Sequence, residues 1–253
     1  TLRESIQQTH TPAAPQPSEI DDGESPSAVR RSDSRTTADR HALQGMGVPT
    51  AWTRLLRPGD RFTEVLRMLE RLPENHIDPA TPIVAVVGPA SSVRLEAHRT
   101  ALDLAVDTEP RPVVVVPTAA GTGRATAVAH ALRSAPVVLA VEADGGGTSG
   151  VLDALATVRA GAVIAVVDAA APRESTRRWL DVLGRIDALA VTGATDVPDP
   201  AAVLHHGLPV IRLDGIPVDR VTWTALLCAQ LVATEHLAAR VLLADAPVAV
   251  PER

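Results

Sequence analysis

Pro82-Ile83-Val84-Ala85-Val86-Val87-Gly88-Pro89-Ala90-Ser91-Ser92-Val93-Arg94-Leu95 is the stretch whose reading decides the fold. Its first six residues form an unbroken apolar run, as expected for a strand buried on both faces. The run breaks at Gly88-Pro89, and a helical pattern follows from Leu95. Strand, tight turn and helix N-terminus in that order are the layout of a phosphate-binding P-loop, whose working form is G-x-x-x-x-G-K-[ST]. Only the first glycine is present, as Gly88. The second is Val93, whose branched side chain resists positive φ and blocks backbone approach to a phosphate. Arg94 stands at the lysine position and Leu95 at that of the magnesium-binding hydroxyl. All 24 basic side chains are arginine, so no lysine elsewhere can substitute. The stretch reads as the relic of a nucleotide site.

Downstream of this strand the same alternation continues. Apolar runs at 83–87, 113–117, 136–141, 162–167, 188–192 and 209–213 predict strands. Helical patterns at 95–106, 124–133, 150–159, 174–185 and 199–205 lie between or beside them. A last helix is expected from Asp219. Continuous apolar strands separated by helices predict an α/β fold, a doubly wound, mostly parallel sheet of the P-loop NTPase-like kind. Ligands of such sheets sit at the carboxyl ends of the strands.

Upstream, residues 1–41 are polar and rich in Pro, Ser and Thr, which predicts a disordered arm. Residues 42–81 predict a small helical subdomain, with one helix near Ala51–Leu56. A second carries Phe62, Val65, Leu66, Leu69 and Leu72 on one face; Asp60 would cap it and Pro73 stop it. The α/β domain then spans 82–218. The helix of 219–243 is expected to pack on the N-terminal helices, and 244–253 form a tail.

The net charge of −6 and pI near 5.7 lack the basic footprint of a nucleic-acid binder. An aromatic content of 2% leaves few stacking platforms for single strands. Cys228, the single cysteine, excludes an internal disulfide and reads as core packing within a helical pattern. No apolar run has the length of a membrane span, and the N-terminal residues carry no signal-peptide core. His205-His206 has no acidic or cysteine partner at metal-ligand spacing, so no metal site is expected there.

Read in order, the strand ends resemble those of the signal-recognition-particle-type GTPases, most closely their flagellar-biosynthesis branch. Ile83 to Gly88 is similar to that family's P-loop strand. Ala119 to Arg124 stand where a D-T-[YF]-R motif would be. Asp168-Ala169-Ala170-Ala171-Pro172-Arg173 resembles D-T-A-G-R, with Ala171 at the glycine. Thr192-Gly193-Ala194-Thr195-Asp196 resembles T-K-x-D, with Gly193 at the lysine and Asp196 one place late. Gly207-Leu208-Pro209-Val210 and Gly215-Ile216-Pro217-Val218 are similar to the late G-x-P strand and the G-Q-x-V-P closing loop. The match covers about residues 42–243 and departs from every signature motif.

The resemblance implies a relic guanine-nucleotide pocket built from Gly88, Ser91, Ser92, Arg94, Asp168, Thr192, Asp196 and Gly215, with no catalytic residue. It implies a non-catalytic scaffold or regulator acting by protein–protein contact. The expected partner is a related GTPase or a flagellar or secretion component, and the nucleotide face would serve in dimerisation. A cytoplasmic location, peripheral at the inner membrane face, is expected. No cofactor is expected; weak GTP binding without magnesium is the alternative. On a blander reading, Ser92 is simply the N-cap of the following helix and Arg94 lies on a solvated face.

A rival reading rests on Gly145-Gly146-Gly147-Thr148-Ser149-Gly150, a G-x-G-x-x-G after the strand at 136–141. With Asp168 as ribose-binding acid, Gly145, Gly147 and Gly150 would make a dinucleotide-binding oxidoreductase. Glu142 and Asp144 would face its pyrophosphate with like charge, and two strands precede a motif that normally opens its βαβ unit. Thr118 to Ala125 is a second P-loop-like string, with Gly123-Arg124 at the G-K positions.

Overall fold

Each apolar run of the α/β region forms a strand, and each strand alternates its side chains between two separate layers. The computed structural model describes residues 26–74, 77–105, 109–117, 136–143 and 148–244. The strands are β1 (Ile83–Gly88), β2 (Val113–Pro117), β3 (Val137–Glu142), β4 (Ala162–Asp168), β5 (Ala188–Thr192), β6 (Val210–Leu213) and β7 (Ile216–Pro217). They make one seven-stranded sheet in the order β2-β3-β1-β4-β5-β6-β7. All neighbours are parallel except β6 and β7.

Helix α4 (Ala90–Asp103) covers one face, packing Val93, Ala97 and Ala101 on Val84, Val86, Val138, Ile164 and Val166. The opposite face is larger. There Val87, Leu139, Val141, Leu189 and Val191 share a core with α5 (Thr148–Val158) and α6 (Arg173–Leu183), and with the N- and C-terminal helices. Each fully buried Val or Leu in these layers contributes about 1.5–3 kcal/mol relative to exposure. The expected doubly wound, mostly parallel sheet is therefore present.

The N-terminal helices are α1 (Pro26–Gly45), α2 (Thr50–Thr53) and α3 (Arg61–Met68), the last continued by a 3₁₀ turn at Leu69–Arg71. Asp60 caps α3, accepting from the Thr63 N–H at 2.9 Å. These helices pack on α7 (Arg220–Ala244), where Trp223, Leu227 and Leu231 are almost wholly buried beside Leu43, Val65 and Met68. Arg61 joins all three longer helices: its guanidinium grips Asp39 of α1 in a bidentate pair and also meets Glu235 of α7. That double pairing holds Arg61 above its ordinary pKa.

Four expectations need correction. The arm does not extend to residue 41, because residues 26–45 are helical; residues 1–25 lie outside the described residues. Polar contacts order α1: besides Asp39–Arg61, Arg40 donates to the Leu56 carbonyl at 2.6 Å. Second, the helix expected from Leu95 begins at Ala90, directly after Gly88-Pro89. Third, β7 is an extra strand, closed on β6 by Asp214 (φ 48°) and Gly215 (φ 80°). Two positive φ values in a Leu213-Asp214-Gly215-Ile216 link are those of a type I′ hairpin, which Asp-Gly favours. The segment 199–205 is a 3₁₀ helix, Pro200–His206. The helix expected at 124–133 and the string Thr118 to Ala125 lie outside the described residues, as do Gly145 to Gly147.

Candidate functional site

The carboxyl ends of the parallel strands share one edge of the sheet. Gly88 ends β1 opposite Glu142 of β3, and Asp168 ends β4 opposite Thr192 of β5. Four of the strand ends read from the sequence are therefore neighbours. What they can bind is decided by the turns that follow them.

After β1 there is no loop. Pro89 is the N-cap of α4, and no side chain caps that helix, so Ser92 is not the N-cap. Its hydroxyl instead donates to the Pro89 carbonyl at 3.3 Å, while Ser91 is exposed. The six positions after Gly88, over which a P-loop would wrap phosphates, are Pro89 and the first five residues of α4. Val93 is completely buried under the helix, packed on the sheet. The backbone N–H groups of Ser92 and Val93 already bond the Pro89 carbonyl at 3.0 and 2.9 Å. Gly88 has a packing reason of its own: a Cβ there would lie 2.7 Å from Cβ of Val166 on β4.

Arg94 does not lie on a solvated face without a partner. Its guanidinium pairs with Glu142, whose carboxylate is almost fully buried at the end of β3. The cation at the lysine position is thus neutralised by a carboxylate from inside the fold, a partner that sequence proximity to Glu96 and Arg99 did not suggest.

The remaining site residues are also committed locally. Asp168 accepts from the Ala170 N–H at 2.9 Å, within its own turn. The Thr192 hydroxyl donates to the Val167 carbonyl at 3.3 Å. Gly193, at the position of the base-recognition lysine, has φ 70°, and a Cβ there would lie 3.2 Å from Asp168 Oδ1. Asp196 is exposed on the 3₁₀ turn Ala194–Asp196. Asp214 holds that turn, accepting from the N–H groups of Ala194 and Thr195 at 3.1 and 2.9 Å. Gly215 lies against the Arg99 guanidinium, which occupies the space a Cβ would need. Near Asp168, Ala171 and Arg173 there is a small hollow of about 30 Å³.

Sequence reasoning missed Glu142 as a partner, Asp214, and a buried charge network beneath the β6–β7 hairpin. Arg212, 2% exposed on β6, reaches Glu96 of α4 at 3.3 Å and Thr100 at 3.1 Å, and also pairs with Asp103. Arg99 closes on the other oxygen of Glu96 at 2.9 Å. The Asp-Gly hairpin signal could have found the turn; nothing local could have found the network.

The dinucleotide reading meets a topological obstacle. Its glycines follow β3, yet β1 lies between β3 and β4, so Asp168 does not sit on the strand adjacent to the glycine-bearing one as a ribose acid should. Among the described residues no group of His, Cys, Asp or Glu could hold a metal ion, and no helix is long and apolar enough to cross a membrane. Cys228 is half-buried, and burial pushes its thiol up.

A mostly parallel sheet in this order, α4 on one face among the described residues, and N- and C-terminal helices packed together make up the fold seen in the signal-recognition-type GTPases. The solved structures bear this out. The signal recognition particle 54 kDa protein of Aeropyrum pernix K1, in complex with GDP, superposes with a TM-score of 0.58 at 15% identity, over 83% of this chain and 68% of that one. The cell division protein FtsY of Thermotoga maritima gives 0.56 at 14% identity, over 77% and 88%. FlhF complexed with GTP and Mg²⁺ gives 0.55 at 10% identity, over 77% and 99%. No protein-family model and no curated protein sequence matches the chain. The likeness is one of fold.

Proposed function

We propose that this chain is a non-catalytic protein with the signal-recognition-type GTPase fold, a scaffold or regulator that acts by protein–protein contact. The observation that carries the reading is the Arg94–Glu142 pair at the head of α4. Phosphoryl transfer depends on positioning and on neutralising the phosphates with lysine, magnesium and backbone donors. Here the cation is already paired, a buried carboxylate would meet the phosphates with like charge, and the N–H groups of Ser92 and Val93 already bond the Pro89 carbonyl. Leu95, at the magnesium-binding position, is exposed and offers no oxygen.

The partner in this reading is a related GTPase, or a flagellar or secretion component, engaged through the edge formed by Gly88, Glu142, Asp168 and Thr192. A cytoplasmic site of action, peripheral at the inner membrane face, goes with such a partner. That the solved structures of similar fold hold GDP, or GTP with Mg²⁺, favours a second reading: a weak guanine-nucleotide binder.

Thermal denaturation with GTP, GDP, ATP, NAD and NADP, each with and without magnesium, together with a GTP hydrolysis assay, separates the readings. A ligand at 100 times its dissociation constant adds about 2.7 kcal/mol of apparent stability. The expected result is no saturable stabilisation by any nucleotide and hydrolysis at background. Stabilisation by GTP that disappears in Arg94→Ala would make the second reading correct.

A further inference from the structure

A cavity of about 410 Å³ opens between α6 and the 3₁₀ helix Pro200–His206, beside the segments that lead into β5 and β6. Its polar lining is Arg177, Asp181, His205 and His206, and Leu180, Ile186 and Leu208 supply an apolar wall. Small-molecule sites have this make-up, an apolar surface with a few polar groups, and volumes of roughly 300–1,000 Å³. Arg177 and His205 are exposed and His206 partly so, which leaves all three within reach of a solute.

The charge of the lining narrows the ligand. Arg177 and Asp181 are 3.8 Å apart, with side chains 67% and 71% exposed. That separation is too long for a hydrogen bond and water screens the pair, so the Arg177 N–H groups stay open to a better acceptor. Burial holds the His206 imidazole below its ordinary value, and Arg173, His205 and Arg177 add to the effect against Asp181. Burial and Arg173 lower His205 in the same way, while a hydrogen bond to the Gly47 backbone opposes them. Both imidazoles are therefore mostly neutral at pH 7, and the fixed charges are Arg173 and Arg177 against Asp181. One net positive charge matches a singly charged anion and leaves a polyphosphate largely unneutralised. The planar fork of a guanidinium fits a carboxylate, and a neutral imidazole adds one N–H donor. His206 can give that donor to a ligand, whereas His205 is already tied to Gly47.

We propose that this cavity binds a small hydrophobic monocarboxylate. Its carboxylate is received by the Arg177 guanidinium and a His206 N–H, and its hydrocarbon body lies on Leu180, Ile186 and Leu208.

The test uses the full chain with ¹³C-labelled histidine rings. Of the eight histidines, His205 and His206 are identified by the signals lost in His205→Gln and His206→Gln. The probes are 3-phenylpropionate, its uncharged amide, and sodium chloride at matched ionic strength. The expected result is a saturable shift of the His206 signal with 3-phenylpropionate alone. Arg177→Gln should weaken binding at least about tenfold while leaving the ring signals dispersed. Arg178→Gln is the control: Arg178 is on the same helix but pairs with Glu174 at 3.4 Å and does not line the cavity, so affinity should be unchanged. No saturable shift, an equal shift with the amide or with chloride, unchanged affinity in Arg177→Gln, or an equal loss in Arg178→Gln would overturn the proposal.

Discussion

Arg94 on α4 lays its guanidinium on the carboxylate of Glu142 at the end of β3, 48 residues further along the chain. The pair is lopsided: the arginine side chain is 59% exposed, the glutamate 5%. Solvent already hydrates the arginine, whereas the glutamate depends on its partner for compensation.

Removing the cation should therefore cost more than removing the charge of both. Arg94→Ala is expected to lose about 1–2 kcal/mol, a value reduced from the fully buried case by the exposure of Arg94. Arg94→Ala with Glu142→Gln should recover part of that loss. Urea midpoints at constant m-value measure the cycle, and strictly additive losses would contradict the pairing.

Rebuilding the P-loop signature should damage the fold before it helps a ligand. Val93 is fully buried inside α4, so Val93→Gly removes core packing and places glycine in a helix interior. About 3 kcal/mol should be lost, roughly 2 from burial and about 1 from the helix. The triple change Val93→Gly, Arg94→Lys and Leu95→Thr should show no GTP turnover, because Ala171 and Gly193 are unchanged. Denaturation and hydrolysis assays on the same preparations check both parts.

The network beneath the hairpin should behave as a unit. In Arg212→Met, Glu96 (1% exposed) loses its partner on β6 but keeps Arg99, and about 2–3 kcal/mol is expected to go, less than for a fully unpaired buried charge. Combining it with Glu96→Gln should cost clearly less than the sum of the two single changes. Equal and additive losses would mean that the charges act independently.

His206 gives the fold an acid sensitivity. Burial pushes its imidazole below the ordinary value of 6.5, and Arg173, His205 and Arg177 push the same way, with Asp181 opposing. A depressed folded pKa means that the unfolded chain binds the proton more readily. Its contribution is complete above pH 6.5 and is lost as pH falls from there through the folded value. The melting temperature should decline over that window, and less so in Arg173→Ala. A His206 titration midpoint at or above 6.5, followed by its ring-proton resonance, would contradict this.

Local patterns carried the architecture. Six apolar runs named six strands, and Asp60 announced the cap of α3. The buried face Val93, Ala97, Thr100, Ala101 and Leu104 was also visible as a helical repeat beginning before Leu95, and Pro89 marks a helix start. Expecting a loop there came from weighing the motif above the periodicity. Helix α1 was hidden for another reason: its sequence is largely polar, and Asp39 reaches Arg61 of α3 while Arg40 reaches the carbonyl of Leu56 in the loop before it.

What the chain alone determined is its sheet, because unbroken apolar runs and period-3.6 patterns are properties of neighbouring residues, and its lack of lysine, because composition needs no fold. The tertiary structure decided what the strand-end residues are available to do. Arg94 meets Glu142 across 48 residues, and Arg212 meets Glu96 across 116. Such pairings depend on which strands lie side by side and on how far a guanidinium reaches at low dielectric. Neither distance nor desolvation is written in the spacing of residues along the chain.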